Sequence, residues 1–589
     1  MISYEFDGDL LADVVGREAD DVLDALDTAR AASLVIEVGV DRHRFAHALV
    51  RETLHGELSA SRRARQHRKV AEALEARHAG ALDTVIADLA THWAEATAGG
   101  DPGRAIELAI RAGARADERG AWENAIRWYQ NALELTEDQY TYEVERRHTL
   151  VALADAQANS GAIADARRTV VEAARLAIAV GDINTACAAL TVHTRGSFGA
   201  NDPADPEKVV LLRAALATPS LAKVRRADLL SELATELIFE NDIAGRRAAL
   251  TEFWEALPLL AAEDCARLLQ NSGAVGIASS RRHLEFIGGQ LDRALAVARP
   301  SQAGLLQVNK MLNHVWRGER NRSDDANRAA QRLMAGTPSR AQPFPWLHST
   351  MLCVVDGDLA AAVEANKETL RLLEYWAVPE APNYRTTMAI MIGRERRSLG
   401  TLHRLAEVME RMGPPSGPTR ALAAFIRFST GDRESPTHAL NLVRVDELVD
   451  DAGHAIVVSL GSEMAAVVGT DEQRRSFLAV LETQAGVHLM AGGMYFGAAD
   501  RLRALLLDRL GDHDQADALF TEAVRQHEDF RSPTWVARPQ LDWAESLLGR
   551  GSPDAARTHL DAAAIALGKL DLPDNQLRLA ELRVALAAG

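Results

Sequence analysis

Four times along this chain a small residue is followed, at one fixed set of intervals, by a second small residue, a bulky one and a third small one. Gly113, Ala125, Tyr129 and Ala132 form one set, and Ala154, Ala166, Val170 and Ala173 the next. The set returns near the C-terminus as Ala504, Ala516, Phe520 and Ala523, then as Ala544, Ala556, Leu560 and Ala563. In each, the later members follow the first by 12, 16 and 19 residues, and a glycine (Gly120, Gly161, Gly511 or Gly551) breaks the first interval. A helix, a glycine turn and a second helix fit that spacing. Small side chains let the two antiparallel helices approach closely, while the bulky residue fills the groove between neighbouring pairs. Stacked helical hairpins satisfy this pattern; a sheet does not.

The intervals are those of positions 8, 20, 24 and 27 of a tetratricopeptide repeat. Equivalent residues lie about forty apart, longer than the usual thirty-four or so, which predicts extended helices. Repeats of this type are expected over 104–196 and 491–589. Between them, 197–490 reads as helical but weakly periodic, with breaks at Ser197–Pro206, Pro300, Gly336–Pro338, Pro379–Pro382 and Gly413–Pro418. Degenerate repeats are the expectation there. Such arrays are quasi-one-dimensional and curve into a superhelix with a concave inner surface.

At 589 residues the chain exceeds one core and implies two to four structural units. It is 47% hydrophobic and 25% charged, ordinary for a folded soluble protein. Aromatics are only 5%, as suits helices packed through small side chains. A net charge of −17 works against broad nucleic-acid binding. Cys187, Cys265 and Cys353 are far apart and read as small buried residues of a reduced protein. The first thirty residues lack the basic and apolar segments of a signal peptide, and no apolar run is long enough to span a bilayer. A cytoplasmic location follows.

The first 58 residues differ from the rest. Asp7–Val15 and Arg17–Ala32 are expected to form amphipathic helices, one with Leu10, Leu11, Val14 and Val15 on a face, the other with Val22, Leu23, Leu26 and Ala29. Leu34–Val38, a turn over Gly39–Arg42, and Arg44–Phe45 read as a hairpin. Two helices and a wing make a winged-helix plan. Its second helix would enter a DNA groove, but that helix carries Glu18, Asp20, Asp21, Asp24 and Asp27, which phosphates would repel. No direct DNA binding is expected. Connecting helices over 59–103, including Ser61–Arg77 and Asp83–Ala96, lead through Ala98–Gly103 to the helices 104–119 and 122–135. The fold class is therefore all-α: a small N-terminal winged-helix domain followed by a tetratricopeptide-like superhelix.

The stretch Arg44–Leu74, RFAHALVRETLHGELSASRRARQHRKVAEAL, resembles a segment that follows the nucleotide-binding module in large bacterial STAND-type ATPases of the adenylate cyclase-like or LuxR-type, maltose-regulator-like kind. Met494–Leu548 resembles the sensor arm of the same proteins. The resemblance implies a winged-helix lid over 1–58 and a sensor arm beyond it. The sequence contains no G-x-x-x-x-G-K-[ST] phosphate cradle, and the expectation is a chain without the family's cyclase domain ahead of Met1 and without its LuxR-type reader after Ala585–Gly589.

By the resemblance, His47 stands where related switch ATPases carry the histidine of an M-H-D motif that contacts the ADP phosphate; here the motif reads Ala46-His47-Ala48. His47 is thus a vestigial phosphate sensor, or a residue capping a helix against the wing. Arg62, Arg63, Arg65, His67, Arg68 and Lys69 form the one dense basic run, on a helix whose Ala64, Val70, Ala71 and Leu74 give the packing stripe. A solvated bridging helix suits it better than a phosphate site. His43, His47 and His55 lack the carboxylate or cysteine that would complete a metal site. Trp122, Trp128, Trp535 and Trp543 fall in repeat helices and read as core.

No nucleophile elbow or acid–base pair is present, so the expectation is a non-enzymatic protein without a cofactor or metal. It would bind a protein partner, such as a P-loop ATPase or cyclase chain, or a small inducer. The alternative is the C-terminal half of a split or mis-started ATP-binding regulator or cyclase, working with an ATPase domain in trans.

Overall fold

The computed structural model describes residues 5–97, 100–137, 139–194, 204–219, 221–237, 242–271, 280–336, 341–376, 378, 381–411, 417–445 and 452–588. Two compact units divide the chain, Met1–Val192 and His193–Gly589.

Unit one opens with β1 (Glu5–Asp7), α1 (Gly8–Val15), α2 (Ala19–Ala31), β2 (Val35–Gly39), β3 (Arg42–Phe45) and α3 (Ala48–Gly56). The three strands form an antiparallel sheet in the order β1-β3-β2, with Val35 opposite Phe45 and Phe6 opposite His43. The expected hairpin is present, and it gains β1 as a third strand that three residues were too short to announce. Asp7 accepts a hydrogen bond from Leu10 N, satisfying a free donor at the start of α1. Gly16, in the left-handed region at φ 67°, ends that helix.

Helix α1 belongs to two cores at once. Ala12 joins Val22, Leu26 and Val35 inside the N-terminal module. Leu10 and Val14, one helical turn apart, join Val70, Leu74, Leu89 and Leu108 of the helices that follow. These are α4 (Ala60–Arg77), α5 (Ile86–Glu95) and α6 (Gly103–Glu118). Arg77 on α4 reinforces the joint, donating to Asp7 at 3.2 Å and Asp9 at 3.4 Å. The module thus sits on the connecting helices through a shared core.

From α4 to the end of unit one each helix packs against the next. Helices α7 (Trp122–Leu135), α8 (Glu143–Ser160), α9 (Ile163–Ala179) and α10 (Ile183–Leu190) complete unit one. In unit two the clearest pairs are Pro300–Trp316 with Arg320–Met334, Pro343–Val355 with Leu359–Tyr375, Ala499–Arg509 with His513–Asp529, and Pro533–Gly549 with Pro553–Leu567. Several expected breaks are helix starts. Pro206 and Pro300 open helices, and Pro382 and Pro418 lie in first turns, where the missing N–H leaves no bond unmade. Gly336, left-handed at φ 74°, follows the end of the helix Arg320–Met334, whereas Pro338, Pro379 and Gly413–Pro414 lie outside the described residues.

One stretch read as part of the helical array is not helical. His488–Ala491 (β4) and Met494–Ala498 (β5) form an antiparallel hairpin, every strand residue of it buried. The turn is Gly492-Gly493, with φ of 57° and 78°, the doubly left-handed geometry of a two-residue hairpin turn that glycine adopts without strain. The boundary drawn at 490/491 falls inside β4. The hairpin ties together helices distant in sequence: Trp316 Nε1 donates to Met490 O at 3.3 Å, Thr387 Oγ1 to Gly492 O at 2.6 Å, and Ala498 N to His527 Nε2 at 2.9 Å. Ser532 and Thr534 likewise donate to Val355 O and Val354 O. A purely one-dimensional array predicts contacts between neighbouring repeats only. This part of unit two instead packs helices about 180 residues apart around a buried hairpin.

Candidate functional site

The repeat positions form the seams of the hairpins. Gly113 on α6 faces the ring of Tyr129 on α7, so closely that a Cβ at Gly113 would lie 2.5 Å from Tyr129 Cε1. Tyr129 and Ala125 then pack on Leu153 and Ala156 of α8, carrying the contact into the next pair. Ala132, Ala154, Ala166, Val170 and Ala173 are fully buried. In unit two Ala504, Ala516, Phe520 and Ala523, and Ala544, Ala556, Leu560 and Ala563, are equally buried along their seams. Trp535 is buried, whereas Trp122, Trp128 and Trp543 are half-buried. Cys187 and Cys265 are buried and Cys353 is partly so.

His47 is exposed and stands at the N-cap of α3, yet its side chain makes no capping hydrogen bond. Ala46-His47-Ala48 therefore presents an imidazole at the surface of the N-terminal module. His43 lies on β3, its ring stacked on Phe6. Among the described residues the three-carboxylate group Asp7, Asp9 and Asp41 comes together, and no such group contains His43, His47 or His55. Arg77 and the backbone N–H of Asp9 already occupy those carboxylates.

The basic run divides by helical phase. Arg62, Arg65, Arg68 and Lys69 are exposed, while His67 turns inward and its Nδ1 lies 2.8 Å from Nδ1 of His92 on α5. Burial, with the neighbouring His92 and His55 imidazoles, lowers the His67 pKa to about 4. A histidine inside a basic run is legible as a core residue only once the helix is phased by Ala64, Val70, Ala71 and Leu74.

The module's outer surface has two further properties. Glu18, Asp20, Asp21, Asp24 and Asp27 of α2 are all exposed, and only Asp27 pairs with a cation on its own helix, Arg30 at 2.9 Å. Val15, Leu23, Leu34, Val38, Val40, Leu49 and Leu54 are exposed apolar residues, Val40 at 96% and Leu49 at 73%.

Unit two hides a set of buried ion pairs that helix-surface charge in the sequence does not announce. Lys208, fully buried, donates to Glu232 at 2.5 Å and pairs with Glu236 at 3.1 Å. Burial pushes the Glu232 carboxyl up, but Lys208 and His193 outweigh it and leave its pKa at about 2. Further along, Arg501 bonds Glu463 at 2.6 Å and Asp542 at 2.7 Å, Arg394 bonds Glu463 at 3.2 Å, and Arg538 bonds Glu395. These bonds join helices of different hairpins.

No protein-family model matches the chain, and no curated protein matches it by sequence. Solved structures do. One is a signal-transduction ATPase with numerous domains and a tetratricopeptide repeat sensor from Pyrococcus horikoshii: 13% identity, TM-score 0.30, covering 75% of this chain. This chain spans 60% of that protein's length. The Cut9–Hcn1 hetero-tetramer of the APC/C matches at 13% identity and TM-score 0.38, over 90% of this chain and 98% of the other. A monomeric IFIT1 mutant with Gppp-AAAA matches at 11% and 0.23, over 82% and 90%. At these identities and scores nothing functional is read from the likenesses.

Proposed function

We propose that this chain is a non-catalytic regulatory protein of the cytoplasm, a winged-helix lid joined to a tetratricopeptide-type sensor arm that binds a protein partner or a small inducer. The observation that carries the reading is the concentration of exposed apolar side chains on the N-terminal module. Seven of the twenty-two large exposed hydrophobics among the described residues lie between Val15 and Leu54. In this reading these side chains serve as the protein-docking face of the module. The resemblance of Arg44–Leu74 supplies the partner: a P-loop ATPase domain, with His47 at the face that meets its nucleotide.

Thirteen carboxylates against five arginines over residues 1–58 support a protein partner over DNA. Signalling would follow if an effector bound the arm with different affinity in the docked and undocked states. The alternative, a split or mis-started regulator working with an ATPase in trans, predicts the same docking face. Among the described residues no helix is long and apolar enough to cross a membrane.

The test is purification of the endogenous protein with peptide mapping. Peptides from upstream of Met1, or a stoichiometric P-loop ATPase, support the reading. A chain that begins at Met1 and brings down no ATPase overturns the docking role and leaves a free-standing scaffold.

A further inference from the structure

At the start of α1, Asp7 and Asp9 flank Gly8, and the turn between β2 and β3 brings Asp41 against them. One oxygen from each carboxylate lies within 4.8 Å of the other two. Oxygens bound to one ion at about 2.1–2.4 Å stand about 3–4.8 Å apart, so these three fit around a single hard cation. Backbone bonds hold Asp41 in place, in the left-handed region at φ 57°. Its carbonyl accepts from Gly8 N at 3.1 Å and its Oδ2 from Asp9 N at 3.3 Å. Gly8 permits this approach, because a Cβ there would collide with Asp41 Oδ1. Arg77, Leu10 N and Asp9 N bond to Asp7 Oδ1, Asp9 Oδ2 and Asp41 Oδ2. The second oxygen of each carboxylate accepts no hydrogen bond among the described residues.

His43 points into the same place. Its Nε2 is the ring atom nearest to the Cβ position of Gly8, 3.7 Å away. The residue is 9% exposed and stacked on Phe6, and Nε2 is buried without a hydrogen-bond partner. A buried ring nitrogen with no partner is uncommon and calls for one. The fold thus sets beside His43 the carboxylates that its sequence neighbours lack. Charge says what they would hold. Glu5, Asp7, Asp9, Asp13 and Asp41 gather here against Arg77, Arg42 and Arg44. Arg42 is turned to Glu5 at 3.4 Å, and Arg44 stands opposite Glu5 on β3. Arg77 is shared among Asp7 at 3.2 Å, Asp9 at 3.4 Å and Asp13 at 3.9 Å, all long for charge-assisted bonds. Five carboxylates against three guanidiniums leave two negative charges, the complement of one divalent cation.

We propose that Asp7, Asp9 and Asp41 bind a hard divalent cation, magnesium or calcium, through one oxygen each, and that a water on the ion donates to His43 Nε2. All-oxygen ligands suit these ions, and both keep waters in such sites. The ion ties the start of α1 to the β2–β3 turn. The site is independent of the regulatory reading and would stand if no ATPase partner exists.

Calorimetric titration of magnesium or calcium chloride into the chelator-stripped full chain, at fixed ionic strength, tests it. One saturable site is expected, with a dissociation constant of about 0.1–1 mM. Tighter calcium binding would identify a roomier cage and tighter magnesium binding an octahedral one, and either supports the site. Asp9→Asn/Asp41→Asn should abolish the saturable heat; asparagine keeps the shape of both side chains and tolerates the left-handed backbone at 41. Asp20→Asn/Asp24→Asn on α2 should leave the heat in place, which separates a built site from general attraction to an acidic surface. His43→Phe, which keeps a ring against Phe6, should weaken binding about tenfold. Wild-type crystals soaked in manganese provide a check that needs no variant: an anomalous peak is expected among the three carboxylates. An unchanged affinity in His43→Phe would overturn the water bridge. No saturable heat with either ion, or heat that survives Asp9→Asn/Asp41→Asn with no manganese peak at the cluster, would overturn the proposal.

Discussion

Gly113 shows how one residue can fix a helical seam. Its missing Cβ is the space in which the Tyr129 ring lies, and any side chain would displace that ring. Gly113→Ala should therefore destabilise unit one by about 1–3 kcal/mol in denaturant unfolding, although alanine is the better helix former. Trimming the ring should recover part of the loss, so the double variant Gly113→Ala/Tyr129→Leu is expected to be less destabilised than the sum of the two singles. An additive result would mean that the seam does not pack as described. Buried histidines make a second prediction at this scale. Burial holds His67 at about 4, and His348 and His488 at about 3, against about 6.5 in the unfolded chain. Below pH 6.5 the unfolded chain takes up protons that the folded one refuses. Stability should then fall as pH drops from 6.5 toward 4, and be unaffected by these groups above 6.5. His67→Gln should flatten that decline for unit one in unfolding curves taken between pH 4.5 and 7.

At the scale of elements, two features decide what can move. Helix α1 places Leu10 and Val14 in the core of α4–α6, so a swing of the N-terminal module away from α4 would expose both. Leu10→Ala is expected to cost about 2–5 kcal/mol of unit-one stability, read by denaturant unfolding, and to raise hydrogen exchange in α1 and α2. The β4–β5 hairpin plays the corresponding part in unit two. Gly497, at φ 84°, leaves no room for a Cβ, which would lie 2.5 Å from the Trp535 ring. Gly497→Ala should lower the unit-two transition by about 2 kcal/mol or more and leave that of unit one in place. The sequence made these elements unequally legible. The helices of α4 to α9 follow from apolar spacing and glycine breaks, because each is stabilised by neighbours within forty residues. The hairpin carried a readable signal, Gly492-Gly493 between apolar runs, but full burial removes the alternation by which a strand is recognised. Arg501, Asp542, Arg538 and Glu395 were illegible for another reason. On a helix a charged residue reads as surface, and only a partner up to 143 residues away makes it core.

For the whole molecule, two separately packed units predict two unfolding transitions, distinguishable by the unit-specific variants above. The larger claim is that the chain acts by docking through its N-terminal module. Its acidic, apolar-studded surface was half visible in advance: the carboxylates of α2 could be read from the sequence, whereas the exposure of Val40 and Leu49 required the fold. The most direct measurement is affinity purification of the tagged protein from its own cells, wild type beside a Val40→Asp/Leu49→Asp variant, with quantitative mass spectrometry. Both substitutions lie at exposed positions and should leave the two unfolding transitions unchanged. The account predicts a P-loop ATPase bound to the wild type and at least tenfold depleted from the variant. An ATPase retained equally by both, or absent from both when the chain begins at Met1, would contradict it.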